Sequence, residues 1–204
     1  MKLEKIIKKL SDKTPTILGI EDFSQYAVLL PLVIEDNQVK VLFEVRSMNL
    51  RRQPGEICFP GGRIDPIDKS HKETAIRETT EELGIEPENI TNILPMDYMV
   101  SPFGTIIYPY VGVITEPNKI NPNPDEVGET FTVPLSELKQ KGPTIYKMNY
   151  KIIPEEGFPF DAIPGGENYN WQARGMDEHF YYHKDKVIWG LTARILNHFL
   201  KLVG

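Results

Sequence analysis

The chain is predicted to be an α/β protein, an α/β/α sandwich built on a mixed sheet. Three observations carry this prediction. Apolar runs rich in Val, Ile, Phe and Tyr recur at 26–34, 39–45, 90–100 and 105–114, with the length and composition of strands. The segments 69–83 and 187–202 instead space apolar residues three and four apart, as a helix with one buried face does. Clusters of Gly, Pro, Asn and Asp punctuate the chain, so helices and strands are interleaved along it.

Taken in order, residues 1–11 open an amphipathic helix with no apolar core of a signal peptide. The first strand, 26–34, contains Pro31, which cannot donate to a ladder and predicts an edge or a bulge. Glu35-Asp36-Asn37-Gln38 makes a turn, and 39–45 returns as the hairpin partner. Residues 46–58 form an arginine-rich connection ending in a short strand. Phe59-Pro60-Gly61-Gly62 then reads as a glycine loop that lets backbone approach a ligand closely. The helix over 69–83 buries Ala75, Ile76, Thr79 and Leu83, and Gly84 stops it. Strands at 90–100 and 105–114 are joined by Ser101-Pro102-Phe103-Gly104. A loop at 121–124, a strand at 131–133 and a short helix at 134–139 with Pro at its first turn follow. A further strand is expected at 144–153, a long loop at 157–177, a strand at 180–183 and a closing helix at 187–202.

At 204 residues, with 40% hydrophobic and 25% charged residues, one domain over 1–204 with an ordinary core is expected. A net charge of −6 argues against a non-specific nucleic-acid binder. No apolar run approaches the length of a membrane span, and the last residues are not a peroxisomal address. The single cysteine, Cys58, fits a reducing compartment, and a cytoplasmic protein is expected. Cys58 lies in an apolar strand and reads as a small buried hydrophobe. The histidines, including the pair His179 and His183, lack the spacing of a metal site with a third ligand.

The chemistry concentrates in Arg77-Glu78-Thr79-Thr80-Glu81-Glu82-Leu83-Gly84-Ile85. Glutamates three and four apart crowd one helix surface and repel, costing a few tenths of a kcal/mol per pair in an isolated helix. A divalent cation between them relieves that repulsion, and oxygen-only ligands suit Mg²⁺ or Mn²⁺ better than zinc. Glu78, Glu81 and Glu82 are therefore the candidate metal ligands.

The segment from Gly62 to Ile85 resembles the Nudix box: a glycine, an acid, then Arg-Glu-(apolar)-x-Glu-Glu-x-Gly-(apolar). Thr79 stands at the usual aliphatic position, the Gly62–Arg77 spacing is one residue longer, and the acid is Asp68. Those features resemble the coenzyme A pyrophosphatase branch, as do Phe59-Pro60-Gly61-Gly62-Arg63-Ile64-Asp65-Pro66-Ile67-Asp68 and Arg46-Ser47-Met48-Asn49-Leu50-Arg51 with Gly55. Asn123-Pro124-Asp125-Glu126-Val127, Phe131-Thr132-Val133-Pro134-Leu135 and the helix around Trp189-Gly190-Leu191-Thr192 are similar to later parts of that branch. Gln53, Glu56 and Glu44 depart from it, where histidine, glutamine and often threonine are usual.

The resemblance implies the Nudix fold and a Mg²⁺- or Mn²⁺-dependent pyrophosphohydrolase. It implies cleavage of coenzyme A or an acyl derivative to 3′,5′-ADP and 4′-phosphopantetheine. Glu78 and Glu82 are then ligands, and Glu81 is a ligand or base. Arg77 orients Glu81 or Asp68, and Glu126 or Glu129 serves as fourth ligand or general base. Gly61 and Gly62 meet metal or phosphate through backbone, and Arg46, Arg51, Arg52 and Arg63 are phosphate clamps. Phe103 is the candidate adenine stacker. Tyr169, Phe180, Tyr181 and Tyr182 line either a pantetheine groove or a homodimer interface. The departures keep ADP-ribose or NADH open as substrates, and a non-catalytic nucleotide sensor is the reading from another class.

Overall fold

The computed structural model describes residues 3–172 and 175–204. Helix α1, Leu3–Ser11, carries no buried residue. Strand β1, Ser24–Glu35, turns at Asp36 and Asn37, whose φ values of 52° and 59° are what a two-residue hairpin turn requires. Strand β2, Gln38–Arg46, pairs back antiparallel on β1. Two short strands follow, β3 at Ile57–Cys58 and β4 at Gly61–Arg63, and then helix α2, His71–Leu83.

Beyond it come β5 (Ile90–Pro95), β6 (Met99–Ser101), β7 (Thr105–Ile114) and β8 (Val127–Pro134). Helix α3, Leu135–Lys141, precedes β9 (Thr144–Met148), β10 (Met176–His183) and β11 (Lys186–Ile188). Helix α4, Gly190–Leu202, closes the chain.

The main sheet runs β3-β2-β1-β7-β5, with β4 on β1, β6 on β7 and β8 on β2. The β1–β7 pair is parallel and its neighbours antiparallel, so the sheet is mixed as predicted. Alternation along the strands sends residues to two cores. Leu30, Val41 and Phe43 pack with Leu138 of α3 and Leu196 and Phe199 of α4. Leu29, Val33 and Leu42 meet Leu83 and Ile85 at the end of α2. Helices thus cover both faces. A second sheet, β11-β10-β9, lies beside this body in the strand order.

Several local expectations are corrected. Pro31 is not at an edge: β1 is central. Its missing N–H points to the side where β1 changes partners, between β4 at Val28 and β2 at Leu32, so no ladder bond is lost there. The glycine loop is in part a strand, since Gly61 and Gly62 pair with Val28 and Ala27. The predicted strand 90–100 splits into β5 and β6, because Pro95 has no N–H and one extra residue intervenes opposite β7. The strand expected at 131–133 starts earlier, at Val127, since β2 offers it a partner to Arg46. The strand at 144–153 ends at Met148, and that at 180–183 begins at Met176. Within 157–177 the described residues form two short 3₁₀ turns, and Ala173 and Arg174 lie outside them. Finally, α4 starts only at Gly190, because residues 186–188 pair with β10.

Candidate active site

Helix α2 starts at Ser70, whose hydroxyl accepts the Glu73 N–H at 3.2 Å, and ends at Gly84 with φ 61°. Ala75, Thr79 and Leu83 are buried beneath it, and Ile76 packs beside them. Thr79 is tolerated there because its hydroxyl donates to the Ala75 carbonyl at 2.6 Å, so no buried polar group is left unpaired. Glu82 shares this inward face and is 7% exposed, whereas Glu81 points outward with 54% of its side chain exposed. Glu78 lies between these extremes.

Strand β4 runs directly against the helix. The Gly61 N–H donates to Glu82 Oε2 at 2.7 Å. A Cβ on Gly62 would sit 2.2 Å from Glu78 Cδ, so only glycine lets this carboxylate lie against the strand. Burial is the main force on both acids. It pushes the Glu82 carboxyl up to about 8, the nearby Glu78 and Glu126 charges adding to it and the Gly61 N–H opposing it. It raises Glu78 as well, against the attraction of Arg77.

Arg77 organises the outer side of the cluster. Its Nε and Nη2 donate to the two oxygens of Asp68 at 3.1 and 3.0 Å, and Nη1 reaches Glu78 at 2.9 Å and Glu81 at 3.2 Å. Asp68 also accepts from the Thr74 hydroxyl at 2.8 Å. The guanidinium holds its carboxyl well below the usual carboxylate range.

Glu126 reaches the cluster through a tethered loop. The Asn121 and Asn123 N–H groups donate to the Leu83 and Glu82 carbonyls, each at 2.9 Å, tying the loop to the end of α2. Buried Ser47 ties it from the other side, its N–H donating to the Glu126 carbonyl at 2.8 Å and its hydroxyl to the Pro124 carbonyl at 3.0 Å. Gly84 is needed twice over, for its positive φ and because a Cβ would strike the Asn121 carbonyl oxygen at 2.0 Å.

These groups floor a cleft of about 670 Å³. Of the catalytic, metal and substrate candidates named from the sequence, Glu78, Glu82, Glu126, Gly61, Gly62, Arg46 and Arg52 line it. The others lie elsewhere. Glu81 is on the rim, paired with Arg77. Glu129 is ion-paired with Lys186, and Arg51 and Arg63 are exposed outside the cleft. Phe103 is 70% exposed and meets Tyr150 edge-on at 5.7 Å. It lies outside the cleft, whose aromatic lining is Tyr26, Phe59 and Trp189, the last stacked on Phe180 at 6.0 Å. Leu50, Leu191 and Ile195 complete the apolar wall. Cys58 is half-buried on the cleft lining, and burial pushes its thiol up, so it stays neutral.

The arrangement fits a hard dication. Its donors are carboxylate oxygens, that of Glu82 buried and that of Glu78 half-buried, at a strand whose glycines leave room for close approach. Among the described residues no three acidic, imidazole or thiol groups already converge on one point, and Glu78 leans instead on Arg77.

A glycine strand held against a carboxylate-faced helix is an arrangement that suits hydrolysis of a phosphoric anhydride. A family model for the NUDIX domain matches residues 24–155, and the chain belongs to that family. It is 38% identical over 112 residues to the peroxisomal coenzyme A diphosphatase NUDT7 of Mus musculus. That match covers 55% of this chain and 48% of the mouse protein, so the chain spans about half of that relative. It is 32% identical over 216 residues to Nudix hydrolase 3 of Caenorhabditis elegans, covering 98% of this chain and 84% of the relative. Among solved structures, a MutT/nudix family protein from Enterococcus faecalis covers all of this chain and 70% of its own, with TM-score 0.53 and 17% identity. The chain is thus a Nudix hydrolase, a pyrophosphatase of the Nudix fold, and its relatives include a coenzyme A diphosphatase.

Proposed function

We propose that this chain cleaves the pyrophosphate of coenzyme A or an acyl-coenzyme A, using Mg²⁺ or Mn²⁺, to give 3′,5′-ADP and (acyl-)4′-phosphopantetheine. The observation that carries the proposal is the pairing of an acidic floor, Glu78, Glu82 and Glu126, with two guanidiniums, Arg46 and Arg52, in one cleft. The mouse relative, a coenzyme A diphosphatase by name, supports the substrate. The lone thiol Cys58 suits a reducing, cytoplasmic setting.

Glu78 and Glu82 would hold the cation, with Glu81 completing the set from the rim. A bound dication supplies charge neutralisation at the pyrophosphate and a more acidic water. Arg77 keeps Glu78 and Glu81 oriented through its fork on Asp68. Arg46 and Arg52 bind phosphate oxygens and hold the substrate across the floor. Glu126, fixed by the Ser47 tether, accepts the proton of the attacking water. Leu50, Leu191 and Ile195 give the pantetheine arm an apolar wall, and Trp189 offers the adenine a face.

One observation favours a second reading, hydrolysis of ADP-ribose or NADH. Gln53 donates to Glu56 at 2.8 Å and both line the cleft, so a carboxylate stands where it would repel an additional 3′-phosphate. Turnover of coenzyme A, ADP-ribose and NADH with saturating Mg²⁺ and with Mn²⁺ separates the readings. Coenzyme A should give the highest kcat/KM. A higher value for either of the others refutes the coenzyme A assignment, and no turnover of any leaves a nucleotide sensor.

A further inference from the structure

One acid at this site is a residue that neither the box nor the resemblance assigns. Glu44 stands in the middle of β2 and is 1% exposed, buried as deeply as the core leucines around it. Its Oε1 has no hydrogen-bond partner among the described residues. An unpaired buried carboxylate is among the most costly groups a fold can contain. On its own strand only the Arg46 charge offsets this. Arg46 lies two residues along the same face, yet its Nε is also buried without a partner. Across the sheet Glu44 is in register with Cys58 and Thr130, neither of which bonds it.

Strand alternation gives its direction. Leu42 belongs to the core under α2, and Glu44, two residues on, shares that face. The element opposite presents Glu82, and the charges that act on Glu44 are those of Glu82, Arg46 and Glu126. An unpartnered carboxylate oxygen therefore sits on the sheet face turned to α2, near enough to Glu82 for the two charges to act on each other.

We propose that Glu44 is a further oxygen ligand for the dication held by Glu78 and Glu82, reaching it from β2. This rests on the reading of Glu78 and Glu82 as ligands. The cation would satisfy the vacant oxygen and offset the burial of two facing acids, while a hard, oxygen-rich set of this kind suits Mg²⁺ and Mn²⁺.

The test compares Mn²⁺ binding, by calorimetry and by the Mn²⁺ spin-resonance signal, in the parent chain, Glu44→Gln, Glu44→Thr and Glu82→Gln. Melting with and without Mn²⁺ accompanies each. Even residues behind the ligands cost about 10- to 100-fold in metal affinity, so Glu44→Gln should weaken Mn²⁺ at least about tenfold. Its metal-free melting point should be equal to the parent's or higher, and the Mn²⁺-induced rise smaller. Mn²⁺ affinity within twofold of the parent in Glu44→Gln, with Glu82→Gln impaired, overturns the proposal and leaves the helix ligands standing. Unchanged affinity in all variants overturns both. Failure of Glu44→Gln and Glu44→Thr alike to fold also overturns it, because a ligand should be dispensable without metal.

Discussion

Replacing Gly62 by alanine should cut kcat about 100-fold and leave the fold intact. The new Cβ would lie 2.2 Å from Glu78 Cδ and 2.4 Å from each carboxylate oxygen. Carbon atoms rest at about 3.5–4 Å, so the carboxylate must retreat by more than about 1 Å. It is the free end of a flexible side chain, and an off-rotamer escape costs on the order of 1 kcal/mol. A misplacement of about 1 Å, by contrast, costs about 100-fold in rate. Gly62→Ala should therefore melt within a few degrees of the parent and lose about 100-fold in kcat at saturating Mn²⁺. The neighbouring change works in the opposite way. At Gly61 a Cβ meets the Ala27 carbonyl oxygen at 2.4 Å and Val28 Cα at 2.6 Å, with φ at 154°. These are backbone atoms of β1 that cannot swing aside, so Gly61→Ala should lower stability by about 1–3 kcal/mol or more. Thermal melts and initial rates on both variants check the pair. A Gly62→Ala enzyme within threefold of the parent kcat would refute the argument that this contact places Glu78.

The metal-free chain should lose stability as pH rises. Unfolded Glu82 titrates near 4.5 and the folded one near 8, so between these values the folded chain keeps a proton that the unfolded chain has released. The loss from this one group approaches roughly 3 kcal/mol by pH 7, and denaturant melts of Glu82→Gln should show that part of the slope removed. Arg77→Lys keeps the charge but cannot span both oxygens of Asp68, and should cut kcat and Mn²⁺ affinity by about 10- to 100-fold in rate and calorimetric assays. Ser47→Ala strips the Pro124 carbonyl of its donor and should cost about 1–3 kcal/mol by denaturant melt, with a drop in kcat as the Glu126 loop loosens. Arg46→Ala should raise KM about tenfold or more, while Arg51→Ala, outside the cleft, should leave it within about twofold.

What the sequence disclosed was largely what is local. The spacing Glu78-x-x-Glu81-Glu82 puts Glu78 and Glu82, four apart, on one helix face, and Ser70 and Gly84 mark the helix ends, because a helix brings together residues three and four apart. The hairpin at Asp36-Asn37 is equally local. Legibility failed where partners are distant in sequence. Two glycines have little strand propensity of their own, and β4 exists because Val28 and Ala27 lie alongside it. Arg46, Arg51, Arg52 and Arg63 are chemically alike in the sequence. Only the path of the Ser47 connection, fastened to residue 124 by a single hydroxyl, turns two of them into the cleft. Glu126 and Glu129 were likewise indistinguishable until Lys186, 57 residues away, engaged the second.

Glu44 is the instructive case. A carboxylate in the apolar run Val41-Leu42-Phe43-Glu44-Val45, on the face of Leu42, breaks the strand's own alternation, and that break was readable. Its cause was not, because Glu82 lies 38 residues on and acts on it only when helix and sheet close. A local rule violated with no local compensation points to a partner the chain alone does not hold, and at this site a dication is the partner whose charge fits.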